Sequence, residues 1–143
     1  WQGESSYYFN GVPESYRNGE ELLAVQKGGG GELQLPLSDT INRLGASSVS
    51  MSSRRDITVV YHDEKYTVMA NSNMVMKIYT RSVSMKYPVV LYLNKAMAPG
   101  DFFRLTTGRE AIEKEGIMIL LPKGVNPDKD LKEQLFKTAG KLF

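Results

Sequence analysis

The stretch PLSDTINRLG, residues 36–45, decides how this chain is read. Leu37, Ile41 and Leu44 stand at i, i+4 and i+7, the spacing of one helical face. Pro36 closes whatever strand precedes it, Ser38 or Asp39 is placed to cap a helix start, and Gly45 supplies the left-handed residue that ends a helix. About two turns of helix do not hold themselves together in water, so this one must lie on a sheet. A second stretch, PGDFFRLTTG at 99–108, repeats the nine-residue separation of proline and glycine 63 positions downstream. The repetition predicts two related halves.

The flanking segments repeat as well. Upstream, ELLAVQ and ELQLPL flank KGGGG, a hairpin pattern with a loose tip at Gly28 to Gly31. A glycine run that cradles phosphate needs a following Lys-Ser/Thr and a helix start; here Glu32 follows. Downstream, SVSM, DITVVY and KYTVMA read as a meander joined by the polar SSRR and HDE, and NMVMKIYTRSVSM continues in the same style. The second half replays the order. YPVVLYLNKAMAP is strand, Asn94-Lys95 turn, strand and proline; after Gly108, AIEKEGIMILL is strand, Lys-Glu-Gly turn and strand. Phe102, Phe103 and Leu105 do not fall at the offsets of Leu37, Ile41 and Leu44, so the two helices are expected to face their sheets differently. SYYFNGVP opens the chain with a strand that turns at Asn10-Gly11. The tail, residues 126–143, is of another kind. Asn126 is placed to cap, Pro127 suits a first helical position, and Leu131, Leu135, Ala139 and Leu142 form an apolar stripe with Phe136 beside it. The expected fold is α+β: antiparallel β meanders in two related halves (about 7–70 and 71–121), each with one short helix, making a domain over 1–125, plus a C-terminal amphipathic helix over 126–143 that packs back on it or, as the alternative, leads to a further domain or a partner.

At 143 residues the chain is the usual size of one domain and long enough to bury a core without staples. It has no cysteine, which excludes thiolate catalysis, cysteine zinc sites and disulfides. A net charge of +2 argues against nucleic acid as partner, since phosphate binding needs a concentrated basic face, and the one adjacent basic pair, Arg54-Arg55, sits in a Ser-rich turn. No apolar run approaches the roughly 18 residues of a membrane span. A chain that opens at Trp1 reads as a processed or engineered fragment, and an upstream leader is expected to have been removed.

Residues in a pattern suited to catalysis or metal binding are few. The single histidine, His62, neighbours Asp63 and Glu64 at an expected hairpin tip, whereas a catalytic triad needs a nucleophile and an orienting acid placed independently around the ring. GASSV lacks the spacing of a nucleophile elbow. Glu110, Glu113 and Glu115 flank Arg109 and Lys114 as a solvated strand and turn, and no spacing brings two acids across a cleft. Met74 and Met76 share a strand face with Met69 close by. Thioethers favour Cu(I), so these with His62 make a permissible copper site, although methionine more commonly fills irregular cores. Tyr7, Tyr8, Phe9, Tyr16, Tyr87 and Tyr92 are suited to stack on sugar rings, and half or more of such rings are expected in the core. The expectation is no catalytic residue, no metal and no cofactor.

FNGVP, then LQLPLSDTINRLGASSVSM, then DITVVYHDEKYTVMANSNMVM resembles the copper amine oxidase N-terminal-domain-like family, the stalk domains of bacterial secreted and surface proteins. YPVVLYLNKAMAPGDFFRLTTG is similar to the second half of that family's unit, and the likeness covers roughly residues 7–121. Ser38 departs from the family's basic residue, Met51 from a common aromatic, Lys95 from the glycine of the second Asn-Gly turn, and the KGGGG tip is longer than usual. The resemblance implies a non-catalytic α+β module, extracellular or on the cell surface, that spaces other domains or contacts cell-wall polymer or a partner domain. It does not imply oxidase chemistry, which needs three histidines at copper. The alternative expectation is a small-ligand or Cu(I)-binding surface protein using the Met-rich strand.

Overall fold

The computed structural model describes residues 1–17, 19–71 and 81–142, and the backbone of 75–78. Its centre is built from the two stretches that repeat. Strand β4 (Leu33–Pro36) runs without a loop into helix α1 (Leu37–Arg43), and strand β11 (Lys95–Pro99) runs in the same way into α2 (Gly100–Thr107). β4 and β11 pair antiparallel, Met97 with Pro36, Ala98 with Leu35 and Pro99 with Gln34. Each carries its own hairpin partner on the outside, β3 (Gln26–Lys27) and β10 (Val90–Tyr92), giving a sheet of order β10-β11-β4-β3. Proline tolerates this place because it is the last residue of each strand, where no further ladder N–H is required.

Each helix contacts both central strands, α1 lying against β4 and β11 and α2 against β11 and β4. The two strand–helix units are therefore interlocked around one core. β4 is buried along its whole length and β11 from its second residue onward. Leu37 and Ile41 of α1 and Phe102 and Phe103 of α2 are at most 1% exposed, so the short helices are held by burial. They face the sheet differently, as their sequences predict: α1 buries Leu37, Asp39 and Ile41, whereas α2 buries the adjacent phenylalanines together with Thr106 and Thr107.

After α1 comes a five-stranded meander, β5 (Ser48–Met51), β6 (Asp56–Tyr61), β7 (Glu64–Met69), β8 (Val75–Ile78) and β9 (Arg81–Ser84). Alternation in β6 turns Ile57, Val59 and Tyr61 into the core. After α2 comes a single hairpin, β12 (Ala111–Lys114) with β13 (Ile117–Leu120). The chain opens on the hairpin β1 (Ser6–Phe9) and β2 (Val12–Ser15), whose Asn10-Gly11 turn has positive φ at both residues, the form that matches strand twist. It closes on α3 (Lys129–Ala139). The expected α+β architecture is the observed one: antiparallel sheets, a short helix in each half, and a C-terminal helix.

The structure differs from the sequence expectation at four places. Neither Ser38 nor Asp39 caps α1; its N-cap is Pro36, which has no side-chain acceptor to offer. α3 is capped by Asp128, whose side chain accepts from the Leu131 amide at 2.8 Å, and not by Asn126 with Pro127 as first helical residue. The β10–β11 turn falls on Leu93-Asn94, both at positive φ, one residue earlier than Asn94-Lys95. The glycine tip is not loose: the Gly28 amide donates to the Glu32 carbonyl at 2.7 Å, and the Glu32 carboxylate folds back over the tip. A Cβ on Gly28 would stand 1.7 Å from Glu32 Oε1, so a larger residue there would push the Glu32 carboxylate off the tip. Gly45 does end α1 as expected. With φ +112° it lets its own amide reach the Asn42 carbonyl and the Ala46 amide reach Ile41, the paired bonds of a Schellman end.

Candidate functional site

Among the described residues, one concave region lies at the glycine tip and another beneath α3. The first has a volume of about 300 Å³ and gathers Glu32, Asp101 and Glu113 with Lys86, Tyr87 and Arg104. The second has a volume of about 570 Å³ and is walled by β1, α1, β13 and α3. Charge dominates the first, apolar surface the second.

In the polar pocket the acids are committed to the fold. Glu32 accepts the Gln34 side-chain amide at 3.1 Å through Oε1 and the Gly30 amide at 3.2 Å through Oε2. Glu113 reaches from β12 to accept the Leu33 amide of β4 at 3.2 Å, and Asp101 accepts the Lys86 amide at 3.0 Å and pairs with Arg104. Partial burial pushes the Glu113 carboxyl above its usual range, the Leu33 N–H opposes that, and the charges of Glu32 and Asp101 add to it. Among the described residues no group of three His, Asp or Glu is arranged to hold a metal ion.

Glu20 is the most buried acid, 2% exposed, and stands in the turn region before β3. It accepts the amides of Ser38 at 3.3 Å and Asp39 at 2.6 Å and so performs the capping that Pro36 cannot. Burial raises its carboxyl above the usual range; the two amides and the charge of Lys95 pull the other way. Asp39 in turn accepts the Arg17 amide at 3.1 Å. No local signal in GEELL announces a cap for a helix 17 residues away.

The groove beneath α3 gathers side chains that the sequence shows only separately. Tyr7, Tyr8 and Phe9 form one wall, Met118 to Leu121 another, and the α3 stripe of Leu131, Leu135, Ala139 and Leu142 lies along the third. The Tyr8 hydroxyl donates to the Leu142 carbonyl at 3.5 Å. Arg43, at the end of α1, pairs with Glu14 of β2 and lies over the Phe9 ring, 4.8 Å from its centroid, which ties the first hairpin to α1. Arg109 also lines the groove and donates through Nη1 to the Leu121 carbonyl at 3.3 Å. Volume and lining are those of a small-molecule pocket, concave, mostly apolar and with a few placed donors.

The residues singled out in the sequence are dispersed. His62 is exposed on the β6–β7 turn at φ +47°, its ring stacked on Tyr61 with centroids 4.2 Å apart. Tyr16 is core, Tyr87 stands over the glycine tip, and Tyr92 is exposed on β10, so the last two lie apart from the Tyr7, Tyr8 and Phe9 of the groove wall. Met74 and the Met76 side chain lie outside the described residues, and Met69 at the end of β7 is 44% exposed. No helix among the described residues is long and apolar enough to cross a membrane. Neither a family model, nor a curated protein, nor a solved structure matches the chain.

Proposed function

We propose that the chain is a non-catalytic, extracellular structural and interaction module of a bacterial secreted or cell-surface protein, of the stalk kind its sequence resembles. It spaces other parts of its protein and contacts cell-wall polymer or a partner domain. The observation that carries this reading is how the acids are used. Glu20, Glu32, Asp39, Asp101 and Glu113 each accept a backbone amide, and several of those bonds join segments far apart in the chain. Carboxylates committed in this way stiffen the joints between hairpins and helices. A general acid or base must instead be free to exchange a proton with a substrate. Two strand–helix units closed on one core suit a spacer for the same reason.

The test is retention of the purified chain on isolated bacterial cell-wall material across a salt series. Retention that persists at high salt is expected, because the partly buried tyrosines offer stacking surface and the net charge is small. Release at every salt concentration would remove the polymer and leave a protein partner. Turnover of wall polymer in the same assay, lost in Glu113→Gln, would overturn the non-catalytic reading.

A further inference from the structure

The groove beneath α3 has a chemical signature that a spacer does not require. Its apolar lining is incompletely closed: Leu131 and Leu142, on the α3 side, remain 38% and 42% exposed. Its charged lining is of one sign, since among the described residues Arg43 and Arg109 line it and no carboxylate does. Arg43 is already neutralised by Glu14. Arg109 has no carboxylate within ion-pair distance among the described residues, and its buried Nε has no hydrogen-bond partner. Arg109 is partly exposed, and among the described residues its guanidinium bonds only to a neutral carbonyl, which leaves its charge available to an anion entering the groove.

We propose that this groove binds an anionic amphiphile, a linear alkyl chain with one carboxylate or phosphate headgroup. The tail lies among Leu44, Met118, Leu120, Leu131 and Leu135, and the head takes the side of the groove where Arg109 stands. A volume of about 570 Å³ is within the range of small-molecule sites, and the open flank along α3 is the entry. The arrangement selects on two independent properties. Tail length sets the apolar area removed from water, and head charge sets the interaction with the arginine. A neutral alcohol of equal length satisfies only the first. This inference stands apart from the spacer reading, because polymer retention and amphiphile binding are measured separately.

The chain's single tryptophan, Trp1, lines the groove and provides the readout. Dodecanoate, dodecyl phosphate, decanoate and dodecanol are titrated into the full chain below their aggregation concentrations, followed by tryptophan emission and calorimetry. Saturable binding of one or both anions is expected, and the stronger of the two identifies the headgroup. Affinity is expected to fall about fourfold for each methylene removed. Dodecanol is expected to bind about ten- to a hundredfold more weakly, the difference a charge-assisted hydrogen bond makes. Arg109→Met should bring the anions down to the level of dodecanol. Because Arg109 also bonds the Leu121 carbonyl, Leu131→Asp provides a second variant: it puts a charge at an exposed position of the tail site and should weaken anions and alcohol alike. Dodecanol binding as tightly as the stronger anion, saturable binding of neither anion, or anion binding unchanged in both folded variants would each overturn the proposal.

Discussion

Helices α1 and α3 are opposites. α1 has seven residues, starts at a proline that offers no side-chain cap, and buries Leu37 and Ile41 completely. α3 has eleven residues, starts at a well-placed Asp128 cap, carries Asp130 in its first turn and Lys137 in its last, and buries only Ala139. By local criteria α3 is the better helix, and by packing it is the lesser part of the fold. Capping and burial are therefore separable sources of helix stability. A short helix without its own cap persists when the core holds it and a distant acid serves its amides. A locally well-formed helix need not be tightly docked, and here the looser docking leaves a groove.

Core truncation breaks the contrast most strongly. Phe103 is 0% exposed, at the junction of α2 and the central sheet. Phe103→Ala is expected to cost about 3–5 kcal/mol of global stability in urea denaturation, the cost of removing a buried ring and leaving a cavity. Leu131→Ala on the exposed rim of α3 is expected to cost about 1 kcal/mol or less. Equal losses would show that α3 belongs to the cooperative core after all.

The same contrast marks what was legible in the sequence. Hairpins were readable because period-2 alternation, as in Ile57, Val59 and Tyr61, and turn dipeptides such as Asn10-Gly11 act over a few residues. The β10–β11 turn was displaced by one residue because Leu93, a poor left-handed former, occupies the first turn position at φ +51°. The Gly45 end of α1 was local and legible, whereas its beginning was not, since Glu20 reaches it only through the tertiary fold. The groove was illegible for the same reason. Its tyrosines, its β13 wall and its α3 stripe lie far apart in the chain, and only the stripe's spacing signalled that something apolar faced it. Asn126 was the nearer-looking cap for α3, yet the helix begins two residues later, where Asp128 has its extended backbone.

Acidity sharpens the difference at the helix starts. Burial raises the folded-state carboxyl of Glu20 above its free value of 4.5. The folded chain then binds more protons than the unfolded one between those two values, so stability is greatest below the free value and falls as pH rises through the folded one. Stability measured in urea from pH 4 upward is expected to show this decline, and Glu20→Gln to flatten it. Glu20→Ala at acid pH should cost about 1–3 kcal/mol, because it leaves the Ser38 and Asp39 amides without their acceptor in a buried place. A pH profile unchanged by Glu20→Gln would move the titration elsewhere.

The smallest expected effect is at the other helix start. Asp128→Ala removes the side-chain bond to the Leu131 amide and leaves that donor to water, since the position is exposed. The loss is about 1 kcal/mol, and it falls on α3 alone because α3 contributes so little to the core. Hydrogen exchange is the measurement that separates local from global opening. Amides near the start of α3 should exchange severalfold faster in the variant, with those of β4 and β11 unchanged and the melting temperature nearly constant. If the protection of β4 falls together with that of α3, the helix is coupled to the central sheet. The groove beneath it would then be a joint of the fold and not an opening in it.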